Sequence, residues 1–280
     1  MFKLLHADFT RLIKSKLFWV GLLVMVGVPL YAVGVRYYDY AIAPETAWET
    51  ADGLWFVGGM YIAVIQSIFI SLFIGAEFND GTIRNKLIVG HTRSAIYFSN
   101  LIICSAVSLF YHIVFIAVLF GSGSILLKAW NTPMKTLVIL TALSLFTVIA
   151  LTAIFTMFAM LIHSRSTGVV IAMLVAMAML ISAMTIVSML NAREYIDNAY
   201  VMNELGECVK SDPIPNPRYL TGFKRELYQV ILNLIPIGQM IQFGNLQYVP
   251  QMHFLPMYAI LVAIVCTLIG FVFFRKKDIR

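Results

Sequence analysis

The chain has 280 residues, of which 60% are hydrophobic and 12% are charged. Soluble globular domains carry about 25% charged residues, so this composition excludes a soluble fold and predicts an all-α polytopic membrane protein. The formal net charge of +6 does not indicate nucleic-acid binding, because no basic segment is interleaved with aromatic residues and membrane proteins collect Lys and Arg on their cytoplasmic side. We therefore expect no nucleic acid among the partners.

Residues 1–16 are predicted to form an amphipathic helix in the membrane interface. The apolar face comprises Phe2, Leu5, Phe9, Leu12 and Ile13, and the polar face comprises Lys3, Asp8, Arg11 and Lys14. A basic start before an apolar run also resembles a signal peptide. However, the run is long enough to span a bilayer, and Pro44 would directly follow the cleavage site. We therefore expect an uncleaved first span.

Six apolar runs approach the ~20 residues that a bilayer crossing needs. They cover residues 17–35, 54–75, 96–121, 136–163, 168–190 and 254–274. Lys and Arg concentrate in the segments on the side of the N-terminus, so the positive-inside rule predicts that both termini are cytoplasmic. This orientation predicts a cell-membrane protein with a cytoplasmic loop at 76–95 and a helical extracellular subdomain at 191–253.

Side chains within the predicted spans bear on transport. None of the six runs, as drawn, contains Asp, Glu, Lys or Arg, which counts against an ion- or proton-coupled transporter. The second span has small residues at every fourth position beside Gln66, which predicts intramolecular packing, a dimer interface or the wall of a substrate path. These candidates are Gly59, Ala63, Gln66, Ser67 and Ser71.

The fifth span is rich in methionine. Met173, Met177 and Met184 lie among Ala and Ser residues. Because methionine is flexible and polarisable, such a surface adapts to varied apolar ligands, although methionine also fills cores. We include these three residues as candidates for a substrate path or a dimer interface.

A polar segment between the second and third spans is predicted to contain a short amphipathic helix. Asp80 can cap its N-terminus, and Gly90 is suited to the left-handed residue that ends it. Ile83, Leu87 and Ile88 fall on one face, whereas Arg84 and Lys86 fall on another. Taken alone, this segment is either an ordinary basic connection or an element that a second protein can grip.

Several enzyme classes lack support in the sequence. No Gly-x-x-x-x-Gly-Lys-Ser/Thr loop, His-Glu-x-x-His motif or Gly-x-Ser-x-Gly motif occurs. We therefore predict no catalytic residue, no cofactor-binding residue and no metal ligand, and the energy for transport would come from another chain.

The polar segment and its flanks resemble a known family. Glu77-Phe78, then Gly81-Thr82-Ile83-Arg84-Asn85-Lys86-Leu87, then Gly90, Arg93 and Ile96-Tyr97-x-Ser99, are similar to the cytoplasmic loop after the second span of ABC type-2 permeases. These permeases are the membrane subunits of ATP-driven exporters. The order of six spans, N-terminal amphipathic helix and long last loop fits the same family. Asn100 departs from the pattern, because many relatives carry Lys there.

The resemblance implies partners and roles. Two permease chains would pair as a homo- or heterodimer, and each would dock on an ABC ATPase subunit that binds ATP and Mg. The implied ATPase-coupling residues are Glu77, Gly81, Thr82, Ile83, Arg84, Asn85, Lys86 and Leu87, with Phe9, Arg11 and Leu12 as secondary contacts. We expect outward movement of a hydrophobic or amphipathic substrate, and a peptide is the preferred choice. The family includes exporters of lantibiotics and of phenol-soluble modulins. The alternatives are an exporter of small hydrophobic drugs and a non-transporting membrane anchor or sensor that recruits an ATPase.

Overall fold

The computed structural model describes residues 2–43, 51–55, 58–127, 130–162, 164–196, 200–202, 208–210, 214–244, 246 and 249–277. Parts of four predicted segments lie outside the described residues. They are residue 1 of the predicted N-terminal helix, residues 56 and 57 of the second predicted span, residue 163 of the fourth, and several stretches of the segment 191–253.

The described chain is mainly helical, and six of its helices are long and apolar enough to cross a membrane. The helices are α1 (Phe2–Lys14), α2 (Lys16–Ile42), α3 (Gly58–Asn79), α4 (Thr82–Ile88), α5 (Arg93–Leu126), α6 (Met134–Leu161), α7 (Arg165–Leu190), α8 (Gly222–Leu234), α9 (Pro236–Phe243) and α10 (Leu255–Lys276). Short strands β1 (Tyr195–Ile196) and β4 (Ile214–Pro215) form one antiparallel pair, and β2 (Tyr200–Met202) and β3 (Cys208–Lys210) form another. The predicted all-α membrane fold is confirmed.

The bundle is built around α3, α5 and α6. Helix α2 packs on α5, α7 packs on α3, and α10 packs along α6. The three outer helices keep most of their surface outside the bundle, whereas α3 and α6 are mostly buried. Because lipid is as apolar as these side chains, the outer faces need no further cover in a bilayer.

Helix α5 is longer than a bilayer requires. Its 34 residues span about 50 Å at 1.5 Å per residue, whereas the hydrocarbon core is about 30 Å thick. The first turns of α5 therefore extend past the hydrocarbon, on the side where α1 and α4 lie. We call this side the α4 end and the opposite side the α9 end.

At the α9 end, the short helix α9 is buried between α3, α6 and α7. A Cβ atom on Gly59 would lie 2.7 Å from the Cβ of Met240, so glycine allows the close approach of α3 and α9. Gln239 accepts a hydrogen bond from the Thr147 hydroxyl at 2.8 Å and donates to the Asn233 carbonyl at 2.6 Å. The buried polar groups of this helix are therefore satisfied by α6 and α8.

Helix α8 packs Leu232 against α7 and turns most of its other apolar side chains away from the bundle. Phe223, Leu227, Ile231 and Leu234 are all exposed, whereas Asn233 is buried. The Asn233 carboxamide oxygen accepts hydrogen bonds from Gln229 at 3.0 Å and Gln242 at 3.1 Å. An amphipathic helix in this orientation is typical of one whose apolar face rests in the membrane interface.

Candidate functional site

The connection from α3 to α4 turns at Gly81. This glycine has φ of 65° and directly precedes α4, in the left-handed region that glycine adopts without strain. The backbone amide of Asp80 donates to the carbonyl of Ala76 at 2.9 Å, so Asp80 still belongs to the end of α3. The expected N-cap role of Asp80 is therefore wrong, and Gly81 takes that position without a side-chain cap. Gly90, with φ of 96°, has the predicted left-handed conformation.

Helix α1 buries one face against α5. Leu4, Asp8 and Leu12 occur at every fourth residue, and all three are buried. Phe9 and Ile13 lie on a different face and are exposed. Placing Asp8 on the polar face of α1 with Lys3 and Lys14 is therefore wrong: Asp8 is 2% exposed, and its carboxylate accepts a hydrogen bond from Ser99 of α5.

The buried carboxylates of Asp8 and Glu77 meet two cations. The Lys86 ammonium donates to Asp8 Oδ1 at 2.8 Å and also contacts Glu77 Oε1. Arg11 Nη1 lies 2.7 Å from the same Glu77 oxygen. Two negative and two positive side chains thus form a neutral set, which we call the charge cluster.

Neutral side chains from α5 complete the charge cluster. The Ser99 hydroxyl donates to Asp8 Oδ2 at 2.6 Å, and the Asn100 amide donates to Glu77 Oε2 at 2.8 Å. Both carboxylates therefore have a hydrogen bond to each oxygen, which a buried charge requires. Asn100, the position that departs from the family pattern, holds Glu77 without adding a third positive charge.

Arg11 is held by two residues of the same helical face. Its guanidinium lies 4.0 Å from the centre of the Phe73 ring, and Phe73 precedes Glu77 by one turn of α3. A guanidinium over an aromatic face contributes about 0.5–2 kcal/mol, and more when water is excluded. The charge cluster therefore fastens α1, α3, α4 and α5 to one another at the α4 end.

The opposite face of α4 is exposed. Arg84 and Asn85 are exposed, and Ile88 and Val89 are 75% and 78% exposed. Ile83 is buried and Lys86 is nearly so. The sequence prediction placed Ile88 with Ile83 and Lys86 with Arg84, and both assignments need correction because the buried face contains Ile83 and Lys86.

The predicted coupling residues divide between the two sides of α4. Glu77, Ile83 and Leu12 are buried within the chain, so their contribution to ATPase coupling would be indirect. Gly81, Thr82, Lys86, Leu87 and Arg11 are half-buried, and Arg84, Asn85 and Phe9 are exposed. Among the predicted coupling residues of α4, Arg84 and Asn85 are therefore the ones exposed enough to contact another protein directly.

The candidates for a substrate path or dimer interface also fall into a buried group on α3 and an exposed group on α7. The small-residue stripe of Gly59, Ala63, Ser67 and Ser71 is buried in this chain, as is Gln66 beside it. Gly59 contacts α9, and Ser71 lies near Gly168 of α7, as intramolecular packing predicts. Met173, Met177 and Met184 are exposed on α7.

A second set of contacts closes the α4 end beside the charge cluster. Arg93, at the start of α5, donates to the carbonyls of Phe274, Arg275 and Lys277 at the end of α10. Lys277 donates to the Met160 carbonyl at 2.9 Å, near the end of α6. Cations are favourable at helix C-termini, where carbonyls lack partners. Burial lowers the pKa of Lys277 to about 8.

Sequence reasoning missed Asp8 as a member of the charge cluster, Ser99 as the donor to Asp8 and Asn100 as a donor to Glu77. One signal was available: Asp8 stands between Leu4 and Leu12 at spacings of four, on the stripe that a helix buries. A carboxylate on such a stripe needs a partner from another element. Ser99 and Asn100 carry no comparable signal, because serine and asparagine near a helix end are common.

Comparison with known proteins identifies the family. The pattern described as "ABC-2 family transporter protein" matches residues 4–179, which is more than half of the chain and includes the whole charge cluster. The comparison with curated proteins returns no match. With its six candidate spans and this match, the chain belongs to the ABC-2 transporter family, as a membrane-embedded permease.

Proposed function

We propose that α4 is the docking element for an ABC ATPase and that the charge cluster carries the movement of α4 into the bundle. The observation that supports this most directly is the contrast between the two faces of α4. One face is fixed to α1 and α3 through Lys86, and the other exposes Arg84, Asn85 and Ile88, followed by the exposed Val89. In this proposal the α4 end is cytoplasmic, in the cell membrane, in agreement with the positive-inside rule.

A helix of this length needs external support. Helix α4 has seven residues, and isolated helices shorter than about 12–15 residues are marginal in water. Ile83 anchors it by burial and Lys86 by two carboxylates. A load applied to Arg84 or Ile88 would therefore reach Glu77 at the end of α3, since Lys86 binds Glu77 directly.

We further propose that two permease chains pair and that hydrophobic or amphipathic cargo, a peptide in the first instance, moves outward along α7. The exposed surface of α7 combines Met173, Met177 and Met184 with Ser182 and Thr185. Both hydroxyls donate to carbonyls one turn earlier in their own helix, so they need no partner in lipid. Flexible methionines beside small hydroxyl residues suit varied apolar cargo.

Charge reversal at the exposed face of α4 tests the docking proposal. Arg84→Glu is combined with the cognate ABC ATPase, and Lys224→Glu, at an exposed position on α8, is the matched control. We expect Arg84→Glu to reduce co-purification of the ATPase and cargo-stimulated ATP hydrolysis in proteoliposomes, and Lys224→Glu to leave both unchanged. Equal behaviour of the two variants would overturn the docking assignment.

The cargo assay separates the remaining functions. If the wild-type complex binds the ATPase yet moves neither peptide nor drug, the chain is an anchor or sensor that recruits an ATPase. If small hydrophobic drugs are moved and amphipathic peptides are not, the peptide assignment fails while the permease role stands.

A further inference from the structure

Helices α1, α2 and α5 enclose an apolar groove that the charge cluster does not use. Its volume is about 530 Å³, and Phe9, Ile13, Trp19, Leu22, Ala106 and Phe110 are among the side chains that line it. This volume lies within the range of about 300–1,000 Å³ found for small-molecule sites. Four of these side chains are substantially exposed, from 43% for Ile13 to 55% for Trp19.

The walls of the groove are fixed by specific contacts. The Trp19 indole donates to the carbonyl of Ile13 at 2.9 Å, which ties α2 to the end of α1. The Tyr111 hydroxyl donates to the carbonyl of Phe18 at 2.7 Å, and the two rings stack at 5.8 Å. A groove held in this way exists before a ligand enters, so its occupation requires little rearrangement.

The chain bends between α1 and α2, and two lysines flank the bend. Lys14 ends α1, Lys16 begins α2, and the extended residue Ser15 separates them. Both lysines are exposed, and within the described residues neither has an acidic partner. Asp8 is the one acid of α1, and it is buried against Lys86 and Ser99, so it does not neutralise them.

We propose that this groove binds an anionic phospholipid of the leaflet in which α1 lies. An acyl chain occupies the apolar groove, and Lys14 and Lys16 contact the headgroup phosphate. Lysines beside an apolar membrane-interface surface are the arrangement that selects anionic lipids, whereas the groove alone would accept any acyl chain. Phe9, a predicted secondary ATPase contact, is then a lipid contact, so the site is independent of the docking role of Arg84.

Trp19 provides an internal reporter for this site. The protein is reconstituted into vesicles that contain either brominated phosphatidylglycerol or brominated phosphatidylcholine, since bromine quenches tryptophan on contact. The Trp19→Phe variant supplies the background from the other tryptophans. We expect phosphatidylglycerol to quench Trp19 at a several-fold lower mole fraction than phosphatidylcholine.

Three variants identify the groups responsible. In the Lys14→Gln/Lys16→Gln double variant the several-fold preference for phosphatidylglycerol should disappear, whereas Lys224→Gln/Arg225→Gln, on exposed α8 positions, should retain it. Ala106→Phe fills the groove at an exposed position and should weaken quenching by both lipids. Elution profile and thermal midpoint confirm that each variant is folded.

Three outcomes would overturn the proposal. Equal quenching by the two lipids means that ordinary annular lipid fills the groove. A preference that survives removal of both lysines means that they do not bind the headgroup. Absence of quenching by either lipid means that protein, such as a second copy or the ATPase, covers the groove.

Discussion

Replacing Glu77 with Gln tests whether the charge cluster holds the α4 end together. Glu77 is fully buried and accepts from Arg11, Lys86 and Asn100. Removing one partner of a buried ion pair costs about 3–5 kcal/mol, because the other charge stays buried without compensation. Here the lower end applies, since Lys86 keeps Asp8 and the Arg11 side chain is 31% exposed.

The expected loss is large enough for a thermal assay in detergent. About 3 kcal/mol corresponds to a midpoint lowered by roughly 6–12 °C for a domain of 150–250 residues, and a longer chain falls toward the smaller shift. The matched control is Arg84→Gln, which removes an exposed charge from the adjoining helix α4 and should change stability by less than about 0.5 kcal/mol. The Glu77→Gln/Lys86→Met double variant should cost less than the sum of its single changes, because the two residues share one ion pair.

Two results would refute this reasoning. If Glu77→Gln lowers the midpoint no more than Arg84→Gln does, then Glu77 is not held as a buried carboxylate. If the double variant is additive, then Lys86 and Glu77 do not interact, and α4 is not fastened to α3 through them.

Three further predictions use the same thermal assay. The pKa of Lys277 is about 8 in the folded chain, against 10.5 for an ordinary lysine. The unfolded chain therefore keeps this proton to a higher pH, so the unfolding free energy should rise as the pH increases from about 8 to 10.5. Lys277→Met should abolish that rise. Gly59→Ala should cost about 1–3 kcal/mol through overpacking against Met240, whereas Gly27→Ala, with open space around it, should not destabilise. Asn233→Leu should lower the unfolding free energy by about 1–3 kcal/mol for each amide group left buried without a partner. A smaller loss would show that water replaces the Asn233 side chain as the partner.

The sequence predicted the membrane-spanning helices well because a bilayer crossing has a required length. Each predicted run overlaps a long apolar helix, and the bounds differ: α5 extends further, from Arg93 to Leu126, whereas the run 54–75 begins before α3 and the run 136–163 ends after α6. Hydropathy marks only the part in lipid, so the polar turn with Glu77 was left outside the predicted spans, whereas Ser99 lies within the predicted run 96–121. The charge cluster joins the end of α3 to residues of α1 and α4, and hydropathy alone does not predict that contact.

The faces of the short helices were harder to predict, because amphipathic analysis assumes one apolar and one polar environment. Helix α1 meets three environments: it buries Leu4 and Asp8 against α5, exposes Phe9 to the groove and leaves Lys14 outside. Helix α8 buries the amide side chain of Asn233 beside the apolar Leu232 and exposes Phe223. In each case the polar side chain is buried because a partner from another helix reaches it.

The two ends of the bundle use different chemistry for their buried polar contacts. At the α4 end Lys86 binds two carboxylates, and displacing it would leave charges in a medium of low dielectric. At the α9 end Asn233 and its neighbours are neutral amides, which can exchange one hydrogen-bond partner for another without leaving a charge unpaired. A joint that resists separation is therefore found where the ATPase is proposed to dock, and the contacts that rearrange at lower cost lie at the opposite end. Movement that enters through α4 would reach α3 with little loss and would be accommodated where α9 packs between α3, α6 and α7.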